Sequence, residues 1–168
     1  INSTSENPDY LPGRRLPYGL RASSDLEDVI DGAEVVVMGT PSHFFREVFS
    51  QIAPSLGASI PVVSLVKGIE QSTLQRMSQI VMELAPDHDR GRIGMLTGPN
   101  LAAEVMDGAP TAAVIAMADL ETGAQVQQLL MGPTFRVYTV TDVVGCELAG
   151  ALKNVMAIAA GMAKGLGF

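Results

Sequence analysis

The sequence predicts an α/β protein built on a mostly parallel sheet with helices on both faces. Two observations carry this. Short apolar runs rich in β-branched residues recur at 34–38, 61–66, 93–96, 111–117 and 135–139. Stretches of about 8–14 residues at helical spacing alternate with most of them, the pattern of strand–helix–strand units.

The elements follow in order. Residues 1–22 carry Pro8, Pro12, Gly13, Pro17 and Gly19, a density of breakers that reads as loop. Ser24 is expected to cap a helix starting near Asp25, with Gly32 ending it. The run 34–38 stops at Gly39-Thr40-Pro41 and reads as a buried strand. Ser42 is expected to cap a helix carrying Phe45, Val48, Phe49 and Ile52, which ends before Pro54.

The second strand, 61–66, ends at Lys67-Gly68. Residues 72–84 place Leu74, Met77, Ile80, Val81 and Leu84 on one helical face. The third strand is broken by Gly98-Pro99, and a short helix is expected over 100–107. Strand 111–117, helix 120–130 and strand 135–139 follow. From Asp142 the pattern is one long helix, or two broken near Gly165.

Composition bounds the function. The chain has 168 residues, 47% of them hydrophobic, enough for a real core and against disorder. A formal charge of −7 argues against nucleic acid or an acidic membrane as the main partner, but not against a small phosphorylated ligand. The single cysteine, Cys146, excludes an intrachain disulfide and suits a reducing compartment, and it reads as a small buried hydrophobe. No basic and apolar leader pattern opens the chain, and the very apolar stretch 155–162 is far shorter than the ~20 residues of a membrane span. Ile1 opens mid-loop and Phe168 closes without a polar tail, so both ends are expected to be cut from something longer.

Ligands of open parallel sheets sit beyond the carboxyl ends of the strands. That rule selects Thr40-Pro41-Ser42-His43-Phe44, Lys67-Gly68-Ile69-Glu70 and Thr97-Gly98-Pro99-Asn100. Only three lysines occur. Lys67 follows a strand, and Lys153 lies in an apolar, small-residue helix. A lysine buried there needs a partner or a task, and burial lowers its pKa toward the range of proton transfer. The plainer alternative, a snorkelling Lys153 and a turn-starting Lys67, stays open.

Phe44 either stacks on a flat ring or is the first core anchor of its helix. His88, in Pro86-Asp87-His88-Asp89-Arg90, reads as solvated. His43 reads as filler. One cysteine and two distant histidines make no metal site.

Ordered motifs point further. Asn7-Pro8-Asp9-Tyr10-Leu11-Pro12-Gly13, Pro41-Ser42 with Phe44, Lys67-Gly68-Ile69-Glu70, Gly98-Pro99-Asn100-Leu101-Ala102-Ala103-Glu104-Val105, Phe135-Arg136-Val137-Tyr138, and Asp142-Val143-Val144-Gly145-Cys146-Glu147 with Gly150-Ala151-Leu152-Lys153-Asn154-Val155 occur in this order. The set resembles the central stretch of bacterial NAD(P)-dependent glycerol-3-phosphate dehydrogenases, from residue 7 to the end.

The resemblance implies a Rossmann-like fold. Residues 1–140 would be part of an NAD(P)-binding domain, and 141–168 the first helix of an all-α substrate domain. It implies hydride transfer between NAD or NADP and glycerol 3-phosphate or dihydroxyacetone phosphate, in the cytoplasm, by a homodimer that supplies glycerol 3-phosphate for phospholipid synthesis. Lys153 would exchange the proton of the C2 oxygen. Lys67 would contact cofactor and substrate, Gly98 and Asn100 the substrate, and Phe44 and Ala102 the cofactor.

The departures are also clear. No G-x-G-x-x-G turn precedes residue 34, and the family's N-x-R-A phosphate-gripping segment does not appear. The 168 residues alone are therefore expected to be inactive. A related β-hydroxyacid or 6-phosphogluconate-type dehydrogenase ranks below this, because such proteins usually lack the K-G-I-E and L-P-G segments. A non-catalytic α/β fragment acting by association is the remaining alternative.

Overall fold

A computed structural model describes residues 1–168. The first two dozen residues form no regular element. They fold back through an antiparallel bridge between Glu6 and Arg15, and the Asn2 amide both donates to and accepts from the Ala22 backbone at 2.7 Å. Arg14 ties this segment to the body through two bonds to Asp107, at 2.8 and 2.7 Å.

Helix α1 (Leu26–Ile30) is capped by the Asp25 carboxylate, which accepts from Glu27 N at 3.0 Å. The expected cap, Ser24, is one residue early; aspartate does the same job by reaching an unpaired first-turn N–H. Gly32, at φ +67°, turns the chain where a side chain would be strained.

Strand β1 (Val36–Met38) leads to helix α2 (Ser42–Ile52), strand β2 (Val62–Ser64) and helix α3 (Met77–Leu84). Strand β3 (Ile93–Thr97), helix α4 (Ala102–Met106), strand β4 (Thr111–Met117), helix α5 (Leu120–Leu130), strand β5 (Phe135–Val140) and helix α6 (Val143–Gly165) complete the order.

Two helix starts correct the sequence expectation. Ser42 is the first helical residue of α2 rather than its cap; Pro41 holds the cap position and no side chain caps it. The helix expected over 72–84 begins only at Met77. Before it, Ile69 bridges Arg76, Glu70 N donates to Gln75 O at 2.9 Å, and Leu74 sits at φ +58°. The reason is tertiary. Glu70 is held by Arg46 of α2, and Arg76 by Glu147 of α6, so the segment closes as a loop despite its helical periodicity.

The sheet order is β1-β2-β3-β4-β5, with β1–β2, β2–β3 and β4–β5 parallel and β3–β4 antiparallel. The fold is thus mostly parallel, as expected, with one reversal. A parallel crossover needs a connection that returns along the sheet. Helix α4 has five residues, about 7.5 Å of helix at 1.5 Å each, too short to do so. The chain therefore re-enters the sheet from the end where it left.

Both faces are covered. Val62 joins Phe45, Phe49, Met77, Ile80, Val81 and Ile93 under α2 and α3. Its neighbour Val63 joins Ile115, Met117, Val126 and Val137 under α5. That alternation is what a strand buried on both sides requires.

Helix α6 spans 23 residues and, by length and composition, would suffice to cross a bilayer, which the 155–162 run alone does not suggest. Its first turns are instead held against β3 and α3. Glu147 is its one buried residue, while Val155, Met156, Ile158 and Met162 are exposed.

Candidate active site

The carboxyl ends of β1, β2 and β3 open on the same edge of the sheet, because these strands run parallel and adjacent. Three turns are therefore brought side by side. Residues 39–42 and 65–67 line a groove of about 430 Å³ between the first two. The turns press closely: a Cβ on Gly68 would meet the Ser42 side chain at 3.3 Å.

Lys67 reaches sideways from the second turn to the third. Its Nζ donates to the Gly98 carbonyl at 2.8 Å. Gly98 must be glycine for this approach. A Cβ there would lie 2.6 Å from the Ala112 carbonyl oxygen and 3.1 Å from Ala113 Cα, both backbone atoms of β4. The same Cβ would stand 3.2 Å from Asn100 Nδ2, so Lys67, Gly98 and Asn100 form one cluster.

Two buried oxygens beside these turns have no hydrogen-bond partner, Asn100 Oδ1 and Thr40 Oγ1. Leaving a polar atom buried and unpaired typically costs about 1–3 kcal/mol, and such atoms in a ligand-facing cleft suit a partner that arrives later.

Helix α6 closes over the cluster. A Cβ on Gly150 would be 3.6 Å from Thr97 Oγ1 and 3.7 Å from Lys67 Cγ, so the glycine lies directly against the lysine stem. Lys153 follows one turn later. It is exposed, which corrects the expectation of a lysine costly to bury. The helix leaves the sheet after Gly150, so no protein group encloses Lys153 within residues 1–168.

Phe44 is half exposed at 49%, while Phe45 and Phe49 are the core anchors of α2. The Phe44 ring is therefore free to stack, and the alternative of Phe44 as a core anchor is set aside. Its ring lies tilted against that of His43, centroids 4.1 Å apart. Ala102 opens α4 and is exposed.

Several groups behave otherwise than the sequence suggests. His88 is buried, its ring nitrogens facing Ile60 O at 2.9 Å and Asp89 O at 3.1 Å, so it fastens two loops at the opposite end of the sheet. The charged neighbours that made it read as solvated point outward. Cys146 is partly buried; burial, with Asp142 nearby, pushes its thiol pKa up, away from nucleophile chemistry.

Glu70 has a supporting role. It receives Arg46 through Nε at 2.8 Å and Nη2 at 3.0 Å, and this pairing, with the Thr73 hydroxyl, holds its carboxyl below the ordinary range. Arg46, also bound to Glu83, is pushed up in turn. The network pins the loop that begins at Lys67 to α2. Sequence reading missed Arg46, which has no motif of its own.

Comparison with known proteins agrees with this geometry. The family model described as NAD-dependent glycerol-3-phosphate dehydrogenase N-terminus matches residues 1–123, and that of the C-terminus matches 142–168. The chain belongs to the NAD-dependent glycerol-3-phosphate dehydrogenase family. Among family members, glycerol-3-phosphate dehydrogenase [NAD(P)+] 2 of Sphingopyxis alaskensis is 47% identical over 99% of the chain and 49% of that protein. Glycerol-3-phosphate dehydrogenase [NAD(P)+] of Mycobacterium avium is 50% identical over 99% of the chain and 48% of that protein.

Solved family structures superpose closely. The glycerol-3-phosphate dehydrogenase of Coxiella burnetii gives a TM-score of 0.84 at 31% identity, over 98% of this chain and 49% of that one. DsGPDH of Dunaliella salina gives 0.86 at 35% identity, over 100% of this chain and 29% of that one. The chain spans about half the length of the curated relatives it matches.

Proposed function

We propose that the protein is an NAD(P)-dependent glycerol-3-phosphate dehydrogenase. It would interconvert glycerol 3-phosphate and dihydroxyacetone phosphate in the cytoplasm and supply glycerol 3-phosphate for phospholipid synthesis. The observation that carries this is the cluster at the strand ends: Lys67 fastened to Gly98, the unpaired Asn100 oxygen beside it, and α6 lying over both.

Residues 1–140 would belong to the nucleotide-binding domain and 141–168 to the start of the helical substrate domain. The two family matches, 1–123 and 142–168, support a division close to that point. The groove between the β1 and β2 turns, with the unpaired Thr40 hydroxyl and, two residues beyond Ser42 in the chain, the exposed Phe44 ring, suits the flat nicotinamide end of NAD or NADP. When bound, the nicotinamide ring supplies or accepts the hydride.

The chain's own residues would do the rest. Lys153 exchanges the proton of the C2 oxygen, protonating it as the ketone is reduced and removing it in the reverse direction. Lys67, anchored rather than free, offers a fixed positive charge to the same oxygen or the adjoining phosphate ester. The Asn100 carboxamide accepts from a substrate hydroxyl, satisfying its buried oxygen. Phe44 and Ala102 line the cofactor side, and the full enzyme is proposed to act as a homodimer.

The test is direct. The full gene product is given glycerol 3-phosphate with NAD+ or NADP+, and reduced nicotinamide is followed by absorbance. Reduction that requires the phosphate, with glycerol inert, is the expected result. Failure with both cofactors, and in reverse with dihydroxyacetone phosphate, would overturn the reading.

A further inference from the structure

One buried carboxylate is not used by the mechanism above. Glu147 of α6 is 4% exposed and accepts from three donors. Oε1 takes Ser78 N at 2.8 Å, while Oε2 takes Ser78 Oγ at 2.7 Å and Arg76 Nη1. Arg76 Nη1 also donates to Ser78 Oγ at 2.8 Å, closing a triangle.

The position of this triangle matters. Ser78 is in the first turn of α3, where N–H groups lack helical partners. The expected cap position holds Arg76, which cannot accept there, so Glu147 supplies the missing acceptor from another helix. Arg76 in turn closes, by its bridge to Ile69, the loop that begins at Lys67. Gly150 and Lys153 follow Glu147 at three-residue steps along α6, each step displaced by about 60° around the helix, and Gly150 rests on the Lys67 stem. A single carboxylate thus joins the two elements that carry the two site lysines.

We propose that Glu147 is a positioning residue for the dehydrogenase reaction: it sets the rotation and height of α6 over the Lys67 loop, and so places Lys153 beside Lys67. This rests on the proposed function above. A salt bridge kept only for stability would be a poor investment of a buried charge, since such pairs are often replaceable by apolar residues. Here the bond's geometry, three donors from two positions on another element, fixes orientation more than it adds attraction.

The test is Glu147→Gln in the full gene product. Glutamine has the same shape, but its amide nitrogen cannot accept from Arg76. Misplacing a reacting group by about 1 Å can lower a rate on the order of 100-fold, so kcat should fall at least about tenfold. The dissociation constant for NAD(P) should stay within about twofold, because Glu147 makes no bond to the β1 turn and Lys67 keeps its own anchor on the Gly98 carbonyl. Labelling of Cys146, the neighbouring residue, should quicken as α6 loosens.

Arg76→Lys perturbs the same triangle from α3 and should show the same split, with a smaller loss. It covers the case in which the α6 variant does not fold. A kcat within about twofold of wild type in both variants overturns the proposal. So does parallel loss of turnover and nucleotide binding with a lowered melting temperature, which would make Glu147 a stability residue alone. The wild-type rate is read first: its absence is failure of the functional reading, whereas an active wild type with unaffected variants is failure of the positioning role.

Discussion

Gly98→Ala perturbs the site through the sheet. The added Cβ would sit 2.6 Å from the Ala112 carbonyl oxygen and 3.1 Å from Ala113 Cα. Carbon–oxygen approaches in sheets run at about 3.3 Å or more, so β3 and β4 must part locally by roughly 0.7 Å, the difference 3.3 − 2.6. Neither clashing atom is a side chain that could rotate away. Both belong to β4, which is paired with β3 on one side and β5 on the other.

Overpacking of this kind costs about 1–3 kcal/mol. With a urea slope of about 2 kcal/mol per molar, the midpoint should fall by roughly 0.5–1.5 M. Urea unfolding followed by far-UV circular dichroism measures it. The displacement also moves the carbonyl that holds Lys67 at 2.8 Å, so the substrate KM of the full enzyme should rise as well. A midpoint within about 0.2 M of wild type would refute the tight approach of the two strands on which the reasoning rests.

Other expectations concern charge and the lysine anchor. Lys67→Ala should raise KM for both substrate and cofactor; a change in melting temperature alone would return Lys67 to a purely structural role. Glu70, Glu83, Asp107 and Asp119 all have carboxyl pKa values lowered by hydrogen-bonded partners, Arg46 first for the two glutamates, Arg14 for Asp107 and Thr122 for Asp119. A depressed carboxylate stabilises the fold above its unfolded pKa and loses that as pH falls through the folded value. Unfolding free energy should therefore decline on acidification below about pH 4.5, and Arg46→Met should flatten part of the decline; an unchanged slope would dismiss the Arg46 network as a contributor. Cys146, its thiol pKa raised by burial, should react with iodoacetamide at pH 8 more slowly than a free cysteine; equal rates would mean that the first turns of α6 are not docked.

Much of the fold was readable from local pattern. The apolar runs located all five strands, and strand 111–117 and helix 120–130 match at both ends. These are the segments whose stability comes from burial of their own periodic residues. What was misread depended on partners distant in sequence. Residues 72–76 have helical periodicity, yet Glu70 and Arg76 are committed to Arg46 and Glu147. The reversal at β4 follows from the shortness of α4. His88 reads as surface from its charged neighbours, but two backbone carbonyls bury it.

The candidate site was legible at the strand ends, where topology dictates which turns meet. Lys67, Gly98 and Asn100 were selected on that rule and form one cluster. Lys153 was selected for an apolar context that turns out to be unfilled within these residues. Glu147 lay inside a recognised motif, but only the three-dimensional triangle with Arg76 and Ser78 reveals what it holds. A buried carboxylate in an otherwise apolar helix was the available signal.

Proton exchange by Lys153 is the proposed chemical step. Its most direct test is single-turnover reduction of dihydroxyacetone phosphate by the full gene product bearing Lys153→Ala, with NAD(P)H affinity measured in parallel. The rate should fall by at least about 100-fold, with affinity for the dinucleotide essentially unchanged. A near-wild-type rate would contradict it.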